Sequence, residues 1–172
     1  AFDEMQLKKF KALNKCERCD LSGAKLGGAK LSRANLSKAN LDGAAMSGAD
    51  LRNSNLYEAA LSGADLSKAN LSKANLSGAD LSKANLSKSY LRSANLIKAN
   101  LSGANLSGAA LGKADLRKSN LYEAALNGAD LYKAALNGAD LSKANLIRAK
   151  LGMADLSGAA MSGADLRNSN LY

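Results

Sequence analysis

The sequence predicts an all-β solenoid with a short α-helix laid over its first coil. Three observations carry this: a leucine every five residues, an alanine two places before nearly every leucine, and an opening stretch outside the pattern. In steps of five from position 21 to position 171, 29 of 31 residues are Leu. The two exceptions, Met46 and Met161, are apolar and of similar volume. The column two residues earlier is Ala at 26 of 31 positions, with Cys19, Ser54, Ser89, Ser119 and Ser169 as the others. The residue just before each leucine is Asn at 12 and Asp at 9 of the 31.

A period of five fits neither regular element. On an α-helix five residues advance about 140° from one leucine to the next, so the leucines would wander over every face. On a flat strand an odd spacing sends successive leucines to opposite sides. The pattern buries a common stripe only if the chain turns within each unit. The core is then a ladder of Leu at the middle of each side with Ala near each corner. Glycine at 12 of the second positions after Leu, as in Gly23, Gly48 and Gly78, is expected to supply the left-handed backbone of the corners.

The opening residues, 1–15, read as a capping helix from Asp3 to Asn14. Asp3 followed by Gln6 matches a capping box. Phe2, Met5, Phe10 and Leu13 are expected to form the apolar side, with Lys8, Lys9, Lys11 and Lys15 favourably placed in the second half. Residues 16–172 then form the solenoid, which closes with no comparable device. Leu41–Tyr57 and Leu156–Tyr172 differ at a single position, which suggests either duplication or a sequence assembled from repeats by design. An uncapped last coil would expose Met161 and Leu171, and is expected either to be the weakest part of the rod or to be covered in an end-to-end homodimer.

Composition excludes much chemistry. With no His, Trp or Pro in 172 residues, His-based catalysis and His metal sites are ruled out. No apolar run is long enough to span a membrane, and no signal-peptide pattern opens the chain. Cys16 falls on the Leu column and Cys19 on the Ala column, so both should point inward at the first coil. A zinc site needs four N or S ligands, and this chain has two cysteines. A disulfide bracketing the first coil is the favoured reading, and two free thiols packed in the core are the other. The disulfide would place the protein in an oxidising compartment, a periplasm or a thylakoid lumen; the cytoplasm is the alternative.

The tandem A-(D/N)-L-x-x, plain in Ala64–Leu86 and running from Cys19 to Tyr172, resembles the pentapeptide-repeat family. The resemblance implies a right-handed quadrilateral β-helix with four repeats per coil. Nearly eight coils stacked at strand spacing would be about 35–40 Å long. It also implies that the Asp column is structural rather than catalytic. Some members resemble duplex DNA and protect or inhibit gyrase; that mimicry needs an acidic surface, and this chain carries +9.

The charges suggest a side instead. Counting repeats in fours, one side carries Lys30, Arg33, Arg52, Lys73, Arg92, Lys113, Lys133 and Lys150 against Asp50 and Asp130. The opposite side carries Lys83 and Lys143 among more numerous carboxylates, including Asp20, Asp80 and Asp140. The expectation is a non-enzymatic rod without cofactor, metal or small-molecule substrate, which presents a charged surface to a macromolecule such as an acidic protein. Direct nucleic-acid binding through the basic side is the alternative.

Overall fold

The computed structural model describes residues 4–172. It contains one helix, α1 (Glu4–Leu13), and from Lys15 onward a coil that repeats every 20 residues. The register is read from parallel bridges that pair each residue before a leucine with its equivalent one coil on, from Lys15↔Asn35 to Lys150↔Asn170. Each side contributes one bridged residue rather than an extended strand, because the chain turns again before a second residue can pair.

One unit shows how the backbone is satisfied. Leu81 N–H donates to Asn100 O at 2.7 Å and Lys83 N–H to Ser102 O at 2.9 Å, both in the next coil. Ala84 N–H closes the corner on Leu81 O at 3.0 Å, and Asn85 N–H reaches back to Ala64 O at 2.9 Å. The fifth donor, Ser82 N–H, has no backbone partner and is capped by Asp80 Oδ1 at 3.0 Å. Every Asp or Asn before a leucine, from Asp20 to Asn170, caps the amide two residues on in this way. The acidic column is therefore a turn-capping device. Replacing Asn75 by Ala leaves Ser77 N–H to water and is expected to cost about 1 kcal/mol of stability, measured by urea denaturation.

The core lies inside the four sides. The leucines from Leu21 to Leu151 and nearly all the alanines between them are buried. Ser54, Ser89 and Ser119 enter the Ala column without leaving an unpaired hydroxyl, because each donates to the carbonyl three residues earlier at 2.6–2.7 Å. From Ala154 onward the columns lose their cover: Leu156, Met161 and Leu166 are only partly buried and Leu171 is exposed.

Two expectations need correction. Every corner from Arg18 to Asn168 has a left-handed residue at its second position, yet only 12 of these are glycine; lysines such as Lys68, Lys73 and Lys113 take φ of 58–60°. Glycine is thus not what permits the corner. The hydrogen bonds and Leu burial on either side hold non-glycine residues in a conformation that costs them about 1–2 kcal/mol. In α1, Phe10 is buried and Leu7 packs on the core, but Met5 and Leu13 are exposed. Met5 lies about 140° round the helix from Phe10, and Leu13 sits on the last turn. Gln6 Oε1 accepts from Asp20 N–H at 2.9 Å, which ties the helix to the first coil. The Asp3 half of the expected capping box, and Phe2, lie outside the described residues.

Candidate binding face

The corner geometry decides where the charges go. Lys30 and Lys150 stand on the bridged column, beside Asp50 and Asp130. Arg33, Lys73, Lys113 and Lys133 occupy the left-handed corner position, with φ between 58° and 60°, and Arg52 and Arg92 the position before it. The eight residues do lie along one side. Counting unit by unit misses that a side has two edges: the preceding corner adds Lys68, Lys88 and Arg148, also left-handed. The signal was present in the sequence, but only the fold assigns a corner to both sides that meet there.

Not all of these cations are available. Arg52 forms a fork on Asp50, with Nε to Oδ1 at 2.8 Å and an Nη to Oδ2 at 2.7 Å. The same pairing recurs at Asp115–Arg117 and Asp165–Arg167. The three D-L-R segments are therefore a local motif, legible once the leucine is known to point inward and its neighbours outward. The arginine hydrogen bond holds the carboxyls of Asp50, Asp115 and Asp165 below the usual range, and raises the paired guanidiniums. Arg92 follows a tyrosine instead and reaches two coils along to Asp130 Oδ2 at 3.3 Å. Lys133 Nζ lies 5.1 Å from the Tyr132 ring centroid. Among the described residues, Lys30, Arg33, Lys73, Lys113 and Lys150 have no carboxylate within 4.0 Å.

On the opposite side Lys143 is engaged, with Nζ 2.7 Å from Tyr122 Oη and 3.4 Å from Glu123 Oε1. These two contacts, the tyrosine first, raise its pKa.

The basic side also carries a cleft of about 550 Å³, lined by Arg92, Gly112, Lys113, Asp130, Tyr132 and Lys150 among others. At positions 110 and 112 the middle coil bears nothing larger than a methyl group, Lys113 stands at its corner, and the Arg92–Asp130 ion pair spans it from the flanking coils. Neither the cleft nor the glycine at its floor was anticipated.

At the N-terminal end Cys16 and Cys19 are joined as a disulfide, with Cα atoms 5.4 Å apart. Cys16 is buried and Cys19 packs against the core. A shallow hollow beside them is bordered by Gln6, Lys9 and Leu13 of α1. Among the described residues no three His, Cys, Asp or Glu side chains gather in a metal-binding arrangement, and no helix is long and apolar enough to cross a membrane.

A 20-residue coil turning at four corners, most of them capped by Asp or Asn, with an aliphatic interior and charges carried on its corners, defines a β-solenoid repeat protein. The chain belongs to the pentapeptide-repeat family, whose repeat model matches 15–53, 54–93, 84–121, 99–138, 124–163 and 134–172. Among solved structures it is similar to a pentapeptide repeat protein from the Arabidopsis thaliana thylakoid lumen, at 33% identity over 60% of this chain and 70% of that one, with a TM-score of 0.56. A pentapeptide repeat protein from Nostoc is 37% identical over 59% of this chain and 84% of that one, with a TM-score of 0.49. QnrB1, a plasmid-mediated fluoroquinolone resistance protein, shares the fold at 22% identity, over 92% of this chain and 80% of that one, with a TM-score of 0.63. No curated protein sequence matches.

Proposed function

We propose that this chain is a non-catalytic rod that captures an acidic macromolecular partner along its basic side. The observation that carries the reading is the row of cations without carboxylate partners among the described residues, Lys30, Arg33, Lys73, Lys113 and Lys150, backed by Lys68, Lys88 and Arg148 on the adjoining corner. Neighbouring coils lie about 4.8 Å apart, so corner lysines one coil apart, such as Lys113 and Lys133, repel one another. A polyanion laid along the side relieves that repulsion and releases its own counter-ions. The aliphatic interior argues against catalysis, since the carboxylates before the leucines are occupied as turn caps.

The test is capture of polyglutamate at low salt. The triple variant Lys73→Glu, Lys113→Glu, Lys150→Glu is expected to lose capture, while Lys83→Glu with Lys143→Glu retains it. Glu58 and Glu123 already occupy the left-handed corner position, so the substitutions at 73 and 113 are compatible with the backbone. Equal capture by both variants would overturn the reading.

An oxidising compartment belongs to the same proposal. The Cys16–Cys19 disulfide and the similarity to a thylakoid-lumen protein support it. The gyrase-directed alternative lacks this support: the likeness to QnrB1 extends to the fold, and the net charge of +9 is opposite to that of a duplex mimic.

A further inference from the structure

We infer that the polyanion received by the basic side is the surface of an anionic lipid bilayer, with Tyr132 and Met153 entering its headgroup layer. The inference deepens the reading of the basic side and rests on it. What carries it is the place of the exposed apolar groups. Among the described residues of the solenoid before 171, four large apolar side chains are exposed: Tyr57, Tyr90, Tyr132 and Met153. Three of the four belong to the basic side or its edge. Tyr90 stands on the bridged column, and Tyr132 directly follows Leu131. Met153 continues the left-handed corner row of Arg33, Lys73, Lys113 and Lys133.

Met153 has no folding reason for its place. Of the non-glycine residues with positive φ among the described residues, it alone is apolar, at φ 58°. It is 65% exposed, so little burial offsets the cost of that backbone conformation. Its Sδ accepts from the Tyr132 hydroxyl at 3.4 Å, which joins the ring and the thioether into one amphipathic knob on the edge of the side. Tyr132 is itself 44% exposed. Lys133 Nζ lies near the same ring, and Lys150 stands three residues before Met153. Apolar groups with a phenol and ammonium groups beside them are the composition of an interfacial anchor. The ring and thioether leave water while the long lysine stems keep their charges among the headgroups.

The rest of the side supplies the attraction. Its carboxylates on the bridged column, Asp50 and Asp130, are held by Arg52 and Arg92, which leaves the row from Lys30 to Lys150 to face a partner. The parallel bridges pair equivalent residues coil after coil, so the rows of cations run along the rod and an extended surface meets several coils at once. Each Lys or Arg held near an anionic bilayer strengthens binding about fivefold. A basic patch or a small apolar anchor alone attaches weakly, and the two together reinforce each other. A nucleic acid backbone offers the charge without an apolar layer behind it, and would leave Met153 in water. Among the described residues no helix can cross a membrane, so the attachment is to the surface.

The experiment is sedimentation of the full chain with vesicles of phosphatidylglycerol and phosphatidylcholine in equal parts, beside vesicles of phosphatidylcholine alone. Binding is expected to the mixed vesicles only, and to fade as salt shortens the Debye length. The variant Tyr132→Ser, Met153→Asn keeps every charge and uses residues found at equivalent positions, Ser72 and Asn168. It is expected to bind the mixed vesicles about tenfold more weakly, while its capture of polyglutamate is unchanged. The chain has no tryptophan, so the emission of Met153→Trp reports on that position alone and is expected to shift to the blue on the mixed vesicles. If the native chain captures polyglutamate but not the mixed vesicles, the lipid inference is overturned while capture by charge stands. Release from the vesicles by a DNA duplex at equal phosphate concentration, or equal binding to phosphatidylcholine alone, overturns it too. So does a double variant that binds like the native chain, or an emission that does not shift. If neither vesicles nor polyglutamate is bound, both readings fall.

Discussion

Leu86→Asp is expected to remove at least about 4 kcal/mol and to abolish protection from hydrogen exchange across the middle coils of the rod. Leu86 is fully buried, and the coils above and below close it off with equivalent leucines. Nothing near it donates to a carboxylate, because the backbone donors around it are already used: Leu86 N–H on Asn105 O at 2.7 Å, and Ser87 N–H on Asn85 Oδ1 at 3.1 Å. An unpaired charge there has no compensation. Leu86→Ala creates a cavity instead and is expected to cost about 2–5 kcal/mol. Coupling in a solenoid runs between neighbours, so the loss should centre on the coils adjoining residue 86. Leu171, which is 53% exposed, supplies the contrast: Leu171→Ala should change the urea midpoint little. A uniform loss of protection over all coils, or tolerance of Asp at 86, would contradict this account of the core.

Phe10→Ala is expected to release α1 from the first coil. Phe10 is fully buried and is the largest side chain the helix contributes to the core. Truncating a buried phenylalanine costs about 3–5 kcal/mol, and a helix of 10 residues is marginal in water without tertiary contacts. The ties that remain include Leu7 against the core, Asp20 N–H to Gln6 Oε1, Asn14 Nδ2 to Ser32 O at 2.9 Å, and the bridge that starts at Lys15. The expected result is loss of the helical circular dichroism signal and of exchange protection around Leu21 and Leu26, with the coils beyond Leu51 unaffected. Retention of the helical signal would show that Gln6, Leu7 and Asn14 suffice.

These two variants probe parts of the molecule that were not equally legible. The leucine ladder could be read residue by residue, because a column that recurs every five positions has only one way to reach a common interior: a corner in every unit. The Asp/Asn column was recognisable as structural, but its task was not. That Ser82 N–H is the one donor left over by the coil, and that Asp80 meets it, depends on the hydrogen bonds of the neighbouring coils, which no local pattern contains. The corners were misread for the same reason. Left-handed backbone in isolation points to glycine, whereas Lys73 and Lys113 are held there by bonds on both sides.

By itself the sequence determined the solenoid, its period, its buried columns, the inward cysteines and the side on which Lys30 to Lys150 fall. Those follow from one-dimensional spacing and the cost of exposing leucine. Only the tertiary structure decided which charges remain unpaired, because Arg92 meets Asp130 across 38 positions of sequence, and which corner lysines join the basic side. The surroundings of Gly112 were likewise decided in three dimensions. Arg92 and Tyr132, each 20 residues away in sequence, stand one coil away in space, and the Arg92–Asp130 pair closes over the glycine between them.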